Sequence, residues 1–232
     1  MRRNLNPHTT SPNQLLQSMQ IAENLHMFLG RDRPIESHSF LLLGKQTILI
    51  DTGMETKNIL LQLNSLNIRP NDLDLIVNTH CHFDHIRNNK SLKEATGAKL
   101  AAGEEDAPHI EASDGHTGAR IFGEKVSESQ VDVLLKGGEE LNDFEVLYTP
   151  GHTSGSVCLF RKSDGILISG DTIFANGYPG RMDLPSGSEE EMSDTLKRLE
   201  KLGVEKIFPA HGVAVLRNAR QNIETALSYV KV

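Results

Sequence analysis

The sequence has no excess of basic residues, since 24 lysines and arginines stand against 31 acidic residues in 232 positions, for a formal net charge of -7. Without a basic field to hold a polyanion, nucleic acid is not expected to be a partner. Cysteine is scarce as well, with only Cys81 and Cys158, and no signal-like or long apolar segment is evident. We therefore expect a protein of the reducing cytoplasm that does not enter a membrane.

What the chain does contain is an ordinary globular composition, with 38% hydrophobic and 24% charged residues. Such a chain suits one large domain or two small ones, and we expect a single domain over residues 21–232. Residues 1–20 are polar, with Pro7 and Pro12, and are predicted to form a loose N-terminal arm. No sequence feature fixes the oligomeric state.

The densest group of reactive side chains lies in residues 79–85, which read THCHFDH. This segment directly follows the apolar residues 73–77, which are typical of a buried strand. In an extended backbone alternate side chains share a face, so His80 and His82 can point together. Asp84 and His85 come after the turn and must point elsewhere. The spacing therefore favours two adjacent half-sites over one tetrahedral cage.

Three later residues lie in the same setting, each a polar group that follows an apolar run: His152, Asp171 and His211. They are far apart in the sequence, so only the fold could bring them together. The motif and these three residues, in this order, resemble the metallo-β-lactamase superfamily. The resemblance extends from about residue 21 to the end of the sequence.

This resemblance implies a site for two divalent metal ions. By the family's pattern, the ligands of a first ion would be His80, His82 and His152. Those of a second ion would be Asp84, His85 and His211, and the carboxylate of Asp171 would bind both ions. Asp84 and Asp171 are also the candidate catalytic residues. Imidazole and carboxylate ligands suit zinc, which is the expected metal, but also iron, manganese or nickel.

The resemblance also implies an α/β fold, the αββα four-layer sandwich, with the metals at one edge between two sheets. The residue pattern predicts strands at 25–29, 39–43, 47–50, 73–77, 99–102, 131–135, 144–148, 157–160, 166–168 and 206–208. It predicts helices at 56–67, 89–96, 189–202 and 217–230. Residues 104–125 show no regular pattern and are expected to form a wall or lid of the site.

Among the branches of the superfamily, the sequence is most similar to short glyoxalase II-like (hydroxyacylglutathione hydrolase-like) proteins. The class B β-lactamases often have cysteine at the position of Asp171, so antibiotic hydrolysis is not expected. The resemblance implies a dinuclear hydrolase of a small thioester or a related ester. The alternatives are a lactonase with the same mechanism, a mononuclear-iron persulfide dioxygenase and a non-catalytic metal-binding protein.

Residues 177–185 read GYPGRMDLP and resemble the G-R-T-D segment of these relatives, with Met182 in place of the usual threonine. In the relatives this loop lies beside the metals, so Tyr178 and Arg181 are candidate contacts for a small-molecule substrate. Arg181 could face an anionic part of the substrate, or it could pair with the following aspartate and brace the loop.

Several other reactive residues are expected to be structural. Cys81 lies between two ligands and should point away from them as a small buried residue. Asp51 is expected to bond to loop amides, or to orient a ligand histidine, and not to bind metal. The remaining histidines are predicted to be caps or solvated loop residues, and they are His8, His26, His38, His109 and His116.

Overall fold

The computed structural model describes residues 18–30 and 36–230, and these residues form two β-sheets between two layers of helices. The first sheet contains seven strands in sequential order: β1 (Met19–Ala22), β2 (Leu25–Phe28), β3 (Ser39–Leu42), β4 (Ile48–Ile50), β5 (Leu75–Asn78), β6 (Lys99–Gly103) and β7 (Val133–Leu135). The second sheet has the spatial order β12-β11-β10-β9-β8. Its strands are β8 (Glu140–Leu141), β9 (Phe144–Tyr148), β10 (Val157–Arg161), β11 (Ile166–Gly170) and β12 (Lys206–Pro209).

Helices cover the outer face of each sheet. In the described residues they are α1 (Thr56–Ser65), α2 (Phe83–Ile86), α3 (Asn89–Thr96), α4 (Ala107–Ala112), α5 (Glu189–Leu199) and α6 (Ala219–Tyr229). The helices α1, α3 and α4 pack on the first sheet, and α5 and α6 pack on the second. The αββα sandwich predicted from the sequence is therefore confirmed. None of these helices is both long and apolar enough to cross a membrane.

The hydrophobic core lies between the two sheets because alternate residues of each strand point inward. Phe40 and Val77 of the first sheet meet Phe144, Leu159 and Ile168 of the second, and all five side chains are buried. Fully burying an apolar side chain of this kind stabilises the fold by about 1.5 to 3 kcal/mol. This shared core fixes the position of one sheet against the other.

The carboxyl ends of the central strands meet at one edge of the sandwich. Strands β4, β5 and β6 are parallel, and so are β11 and β12, while β9 runs in the same direction as β11 because both are antiparallel to β10. At this edge the Val157 amide donates to the Thr79 carbonyl at 2.8 Å. Gly170, with a φ of +51°, packs so closely on Thr79 that a Cβ would collide with it. The loops of both sheets are thereby brought together.

The structure differs from the predicted elements at several places. Strand β1 pairs with β2 and includes Met19 and Gln20, so the prediction of a loose arm over residues 1–20 is wrong at these positions. Residues 1–17 of that arm lie outside the described residues. The segment 104–125, expected to be irregular, contains α4 and two short 3-10 turns (Gly115–Thr117 and Ala119–Phe122). The two-residue strand β8 was not predicted because it is too short to show alternation.

Candidate metal centre

Four loops at the shared edge bring the seven predicted ligands together. The loop after β5, which includes α2, provides four of them, and the loops after β9, β11 and β12 provide one each. The structure places these side chains in two adjoining groups: His80, His82 and His152, and Asp84, His85 and His211, with Asp171 between them. The sequence expectation of two half-sites on opposite sides of the turn agrees with this arrangement.

The first group consists of three imidazoles whose nitrogens converge. His152 Nε2 lies 2.8 Å from His82 Nδ1 and 3.2 Å from His80 Nε2. Ligands around a tetrahedral ion with bonds of about 2.0 Å stand about 3.3 Å apart, so the separations approach those of a metal cage. A single proton cannot satisfy three converging nitrogens, whereas one cation can.

The second group combines two imidazoles with a carboxylate. His211 Nε2 lies 3.0 Å from Asp84 Oδ2 and 3.3 Å from His85 Nε2. Asp171 stands between the groups, with Oδ1 3.4 Å from His85 Nε2 and Oδ2 3.7 Å from His152 Nε2. Each oxygen of Asp171 thus faces a different group, an arrangement that suits a carboxylate bridging two ions.

Hydrogen bonds to the outer nitrogens fix the orientation of the ligand imidazoles. His85 Nδ1 donates to Asp51 Oδ2 at 2.9 Å, and the same carboxylate accepts from the amide and hydroxyl of Thr79. Both structural roles expected of Asp51 are therefore present. Because Nδ1 of His85 carries the proton in its neutral form, Nε2 presents a lone pair to the second group.

His152 is oriented in the same way by a backbone group. Its Nδ1 donates to the Arg181 carbonyl at 2.7 Å, which leaves Nε2 free for the first group. The carbonyl reaches this position because Gly180 has no side chain, and a Cβ there would collide with the Asp171 carbonyl. The GYPGRMDLP segment therefore contributes to the site through its backbone.

The electrostatics of the two groups also suit cations. Burial and the neighbouring imidazoles lower the pKa of His80 well below its usual range, and burial lowers the pKa of His82 to about 3, so both rings are neutral near pH 7. In the second group burial opposes protonation, but three carboxylates, first that of Asp171, raise the pKa of His85 well above its usual value. Positive charge is therefore favoured at this position, and metal ions would supply it.

The donor set thus fits two divalent ions. Asp171 Oδ1 is buried without a hydrogen-bond partner among the described residues, which is costly for a carboxylate oxygen even with His85 Nε2 at 3.4 Å. His82 Nε2 is likewise buried and without such a partner, while its Nδ1 faces the first group. A cation bound to Asp171 Oδ1 would offset the cost of burying this oxygen, which already faces the second group.

The donors open into a cavity of about 250 Å³. Arg181 lies on its wall, but its guanidinium forms two hydrogen bonds with the Asp183 carboxylate, at 2.9 and 2.8 Å. Arg181 was expected either to face an anionic part of the substrate or to pair with the following aspartate and brace the loop, and the pair with Asp183 is present. Tyr178 is not among the cavity residues, because its ring stacks on Tyr229 with centroids 5.5 Å apart and is 55% exposed. The contact of Tyr178 with a substrate stays a prediction.

The apolar wall of the cavity was missed by sequence reasoning. Phe83 and Phe122 pack with ring centroids 5.3 Å apart, and Phe174 and Leu184 also line the cavity. Single apolar residues in loops give no periodic signal, so nothing in the sequence distinguished them. Thr117 and Gly118 also line the cavity, which makes part of the segment 104–125 a wall of the site, as expected.

The other histidines are placed as follows. His38 is buried, accepts the Gly30 amide at Nδ1 and bonds through Nε2 to the Gly212 carbonyl, so it supports the loop after β12. His26 lies in β2, and His8 lies outside the described residues. His109 and His116 are not isolated loop residues, because both bond to Asp114. Cys81 is fully buried, as expected.

A further buried carboxylate, Asp106, joins two of the ligand loops. Its Oδ2 accepts from the Cys81 amide at 2.7 Å and from the Thr153 hydroxyl at 2.8 Å, and its Oδ1 accepts from the Gly155 amide at 2.9 Å. It is completely buried. Asp106 therefore holds the loop that carries His80 and His82 against the loop that carries His152.

Replacing Asp106 by Ala is expected to lower the free energy of unfolding by about 3 kcal/mol or more, because three donors lose their acceptor in a buried site. Denaturant unfolding of the variant would measure the loss. Asp72→Ala is the control, since Asp72 forms an exposed pair with Arg69 and should change stability far less. Equal effects of the two substitutions would show that Asp106 does not hold the loops together.

Comparison with known proteins agrees with this geometry. The sequence model described as the metallo-beta-lactamase superfamily matches residues 32–211. A probable metallo-hydrolase of Methanocaldococcus jannaschii is 37% identical over 185 residues, which cover 76% of this chain and 87% of the relative. A hydroxyacylglutathione hydrolase of Methylococcus capsulatus is 40% identical over 154 residues, which cover 64% of this chain but only 52% of the relative. The chain therefore matches about half the length of that enzyme.

Solved structures show the same fold. The crystal structure of TTHA1623 in a di-iron-bound form superposes with a TM-score of 0.71 and 31% identity, covering 81% of this chain and 91% of that one. A metallo-beta-lactamase family protein of Thermus thermophilus superposes with a TM-score of 0.75 at 22% identity, covering 90% of this chain and 80% of that one. The matches in sequence and the convergence of the seven donors lead to one conclusion: this chain is a metallo-hydrolase of the metallo-β-lactamase superfamily.

Proposed function

We propose that this protein hydrolyses small thioesters or related esters with the help of two divalent ions, zinc by default. The observation that carries the proposal is the complete set of converging donors, with one Asp171 oxygen toward each group. A site for a single ion has no need of the second group of Asp84, His85 and His211. The similarity to a hydroxyacylglutathione hydrolase supports thioesters as the substrate class.

The metal is the least constrained part of the proposal. Three imidazoles and no thiolate in the first group suit zinc, but iron takes the same ligands. TTHA1623, at 31% identity, was crystallised in a di-iron-bound form. We take zinc because a hydrolase needs no redox change, and iron, manganese and nickel are the alternatives.

The residues around the cavity would have different roles in the proposed hydrolysis. Two divalent ions held by these donors would lower the pKa of bound water toward neutrality and polarise the substrate carbonyl. Asp84 lines the cavity, and although burial opposes ionisation, His85 and His211 lower the pKa of this carboxyl below its usual value. Asp84 is therefore a carboxylate near pH 7 that can orient the attacking water and accept its proton.

The cavity also suits a good leaving group. Among the described residues that line it, Thr117 bears the only alcohol and none is a cysteine, so water is the expected nucleophile. The ordinary pKa of a thiol, about 8.5, lies far below that of an amine leaving group, so a thiolate departs without a strong general acid. These features favour a thioester over an amide.

The apolar wall of the cavity is suited to bind an apolar part of the substrate. Phe83, Phe122, Phe174 and Leu184 provide hydrocarbon surface close to the donors. The described cation on the cavity wall, Arg181, is already paired with Asp183. A substrate with a small apolar acyl or thiol group would therefore fit the cavity better than one that depends on a carboxylate contact.

Phe122→Ala is expected to raise KM for a thioester with an aromatic or branched acyl group by about tenfold, because about 1.4 kcal/mol of apolar contact is lost. The KM for an acetyl thioester should change much less. Steady-state kinetics with both substrates measures the ratio. Ile121→Ala is the matched control, since Ile121 is an exposed neighbour that does not line the cavity. An equal change for both substrates would argue against an acyl-binding role.

Arg181→Met is expected to leave the ratio of KM values for anionic and neutral thioesters within about threefold of the original, because the guanidinium is paired with Asp183. Paired assays with a carboxylated and an uncharged thioester measure this ratio. A rise in KM confined to the anionic substrate would assign Arg181 to substrate binding instead.

The proposed reaction is tested by three assays on one preparation. Thiol release from thioesters, ring opening of acyl lactones and oxygen uptake with glutathione persulfide distinguish the thioesterase, lactonase and dioxygenase alternatives. We expect thiol release to dominate and no oxygen to be consumed. Dominant ring opening would keep the two-metal hydrolase and change its substrate, whereas dominant oxygen uptake would overturn the hydrolase. A protein inactive in all three assays would be a metal-binding protein without this catalysis.

A further inference from the structure

A second cluster of possible metal ligands lies outside the centre described above. His109 lies in α4, Asp114 follows that helix, and His116 lies in the next 3-10 turn. His109 Nδ1 is 2.8 Å from Asp114 Oδ2, and His116 Nδ1 is 3.2 Å from Asp114 Oδ1. The two imidazole rings stack with centroids 3.7 Å apart and planes inclined by 19°.

We propose that His109, Asp114 and His116 form an auxiliary site for one borderline divalent cation, of which zinc, nickel and copper are the candidates. One nitrogen of each ring and one carboxylate oxygen lie within 4.8 Å of one another, so a single ion can be held by all three once the stacked rings turn their nitrogens toward it. Two imidazoles with one carboxylate form a donor set that these cations accept readily. The site is independent of the proposed hydrolytic reaction.

The exposure of the cluster gives an ion access from solvent. The side chains of His109, Asp114 and His116 are 21%, 38% and 39% exposed, so water can complete the coordination. Partial burial opposes ionisation of Asp114, but the bonds from His109 and from the His116 amide lower the pKa of its carboxyl. The carboxylate is therefore charged at neutral pH, as a ligand must be.

The local backbone already holds two of the three ligands in place. Asp114 Oδ1 accepts the His116 amide at 2.8 Å and so caps the 3-10 turn, while the Asp114 carbonyl accepts the Thr117 hydroxyl at 2.9 Å. Because these side chains are already ordered, they would lose less conformational entropy when an ion binds. On binding, the proton that each ring gives to Asp114 would move to the outer ring nitrogen.

The position of the cluster gives an ion there a structural consequence. Thr117 and Gly118 directly follow His116 and line the cavity of the hydrolytic site. The carbonyl of His116 accepts a weak hydrogen bond from the Cys81 thiol at 3.7 Å. An ion held by His109, Asp114 and His116 would therefore brace one wall of that cavity.

The test is a zinc titration of protein already loaded with two zinc ions per chain. Calorimetry should show one further, weaker equivalent in the wild-type protein. His116→Asn and His109→Asn are the informative variants, because the asparagine amide can still donate to Asp114 but is a poor zinc ligand. Each should weaken the third equivalent at least about tenfold while the first two equivalents remain. His26→Asn, a change in β2 away from the cluster, should leave the third equivalent intact.

Thermal unfolding gives a second readout that does not depend on activity. Zinc in excess of two equivalents should raise the melting temperature of the wild type, since a site formed by the fold binds zinc more tightly than the unfolded chain does, and should not raise that of His116→Asn. Absence of a third equivalent in the wild type would overturn the proposal. A third equivalent of unchanged affinity in both asparagine variants would overturn it as well, since the cluster would then be only a hydrogen-bonded cap.

Discussion

Purified Asp171→Ala is expected to contain one metal ion per chain or none, and to melt at a lower temperature than the wild-type protein. Asp171 is the side chain that faces both donor groups, with Oδ1 toward His85 and Oδ2 toward His152. Two unit charges 4 Å apart repel by about 4 kcal/mol at an effective dielectric constant of about 20, and divalent ions repel more strongly. Without the carboxylate between them, two neighbouring cations would not be retained.

Elemental analysis and thermal unfolding of the same samples measure both effects. Asp183→Ala is the control, since it also removes an aspartate near the cavity, but an exposed one whose partner is Arg181. It should keep the wild-type metal content. If Asp171→Ala retained as much metal as the wild type, the assignment of Asp171 as the bridging ligand would be wrong.

The second large effect is expected for Asp84→Asn, which should lower kcat by about 10² to 10⁴ and change KM far less. Asparagine has nearly the same shape as aspartate but cannot accept a proton from the attacking water. The Asp84 carboxylate is 15% exposed and lies at the cavity wall, where it can reach that water. The loss should therefore fall on the chemical step and not on substrate binding.

Steady-state kinetics on one thioester measures the two constants. Because Asp84 also belongs to the second donor group, the comparison is made at equal metal content, established by elemental analysis of each sample. A rise in KM as large as the fall in kcat would place Asp84 in substrate binding and remove its proposed catalytic role.

The fold and the position of the site were largely predictable from the sequence. The predicted helix at 89–96 coincides with α3, and the strand predicted at 144–148 coincides with β9. Each metal-ligand candidate follows an apolar run, and the carboxyl ends of parallel strands gather such residues at one edge of a sheet. The structure brings all seven candidates to that edge.

The supporting residues could not be identified in the same way. Asp106 is a lone aspartate before α4, and only the folded chain shows that it accepts hydrogen bonds from two separate loops. Phe122 and Phe174 are single aromatic residues in loops, where no periodicity marks a buried or functional face. The direction of the Tyr178 ring could not be predicted for the same reason, because a loop motif gives no side-chain direction. Its ring turns to Tyr229.

The most direct test of the account is the number of metal ions per chain in protein purified without added metal, determined on the sample whose thioester hydrolysis is assayed. The account predicts close to two divalent ions per chain, with hydrolysis that falls when a chelator removes them and returns when they are restored. Full activity with a single iron ion per chain would contradict the two-ion centre formed by the His80, His82 and His152 group, the Asp84, His85 and His211 group and Asp171.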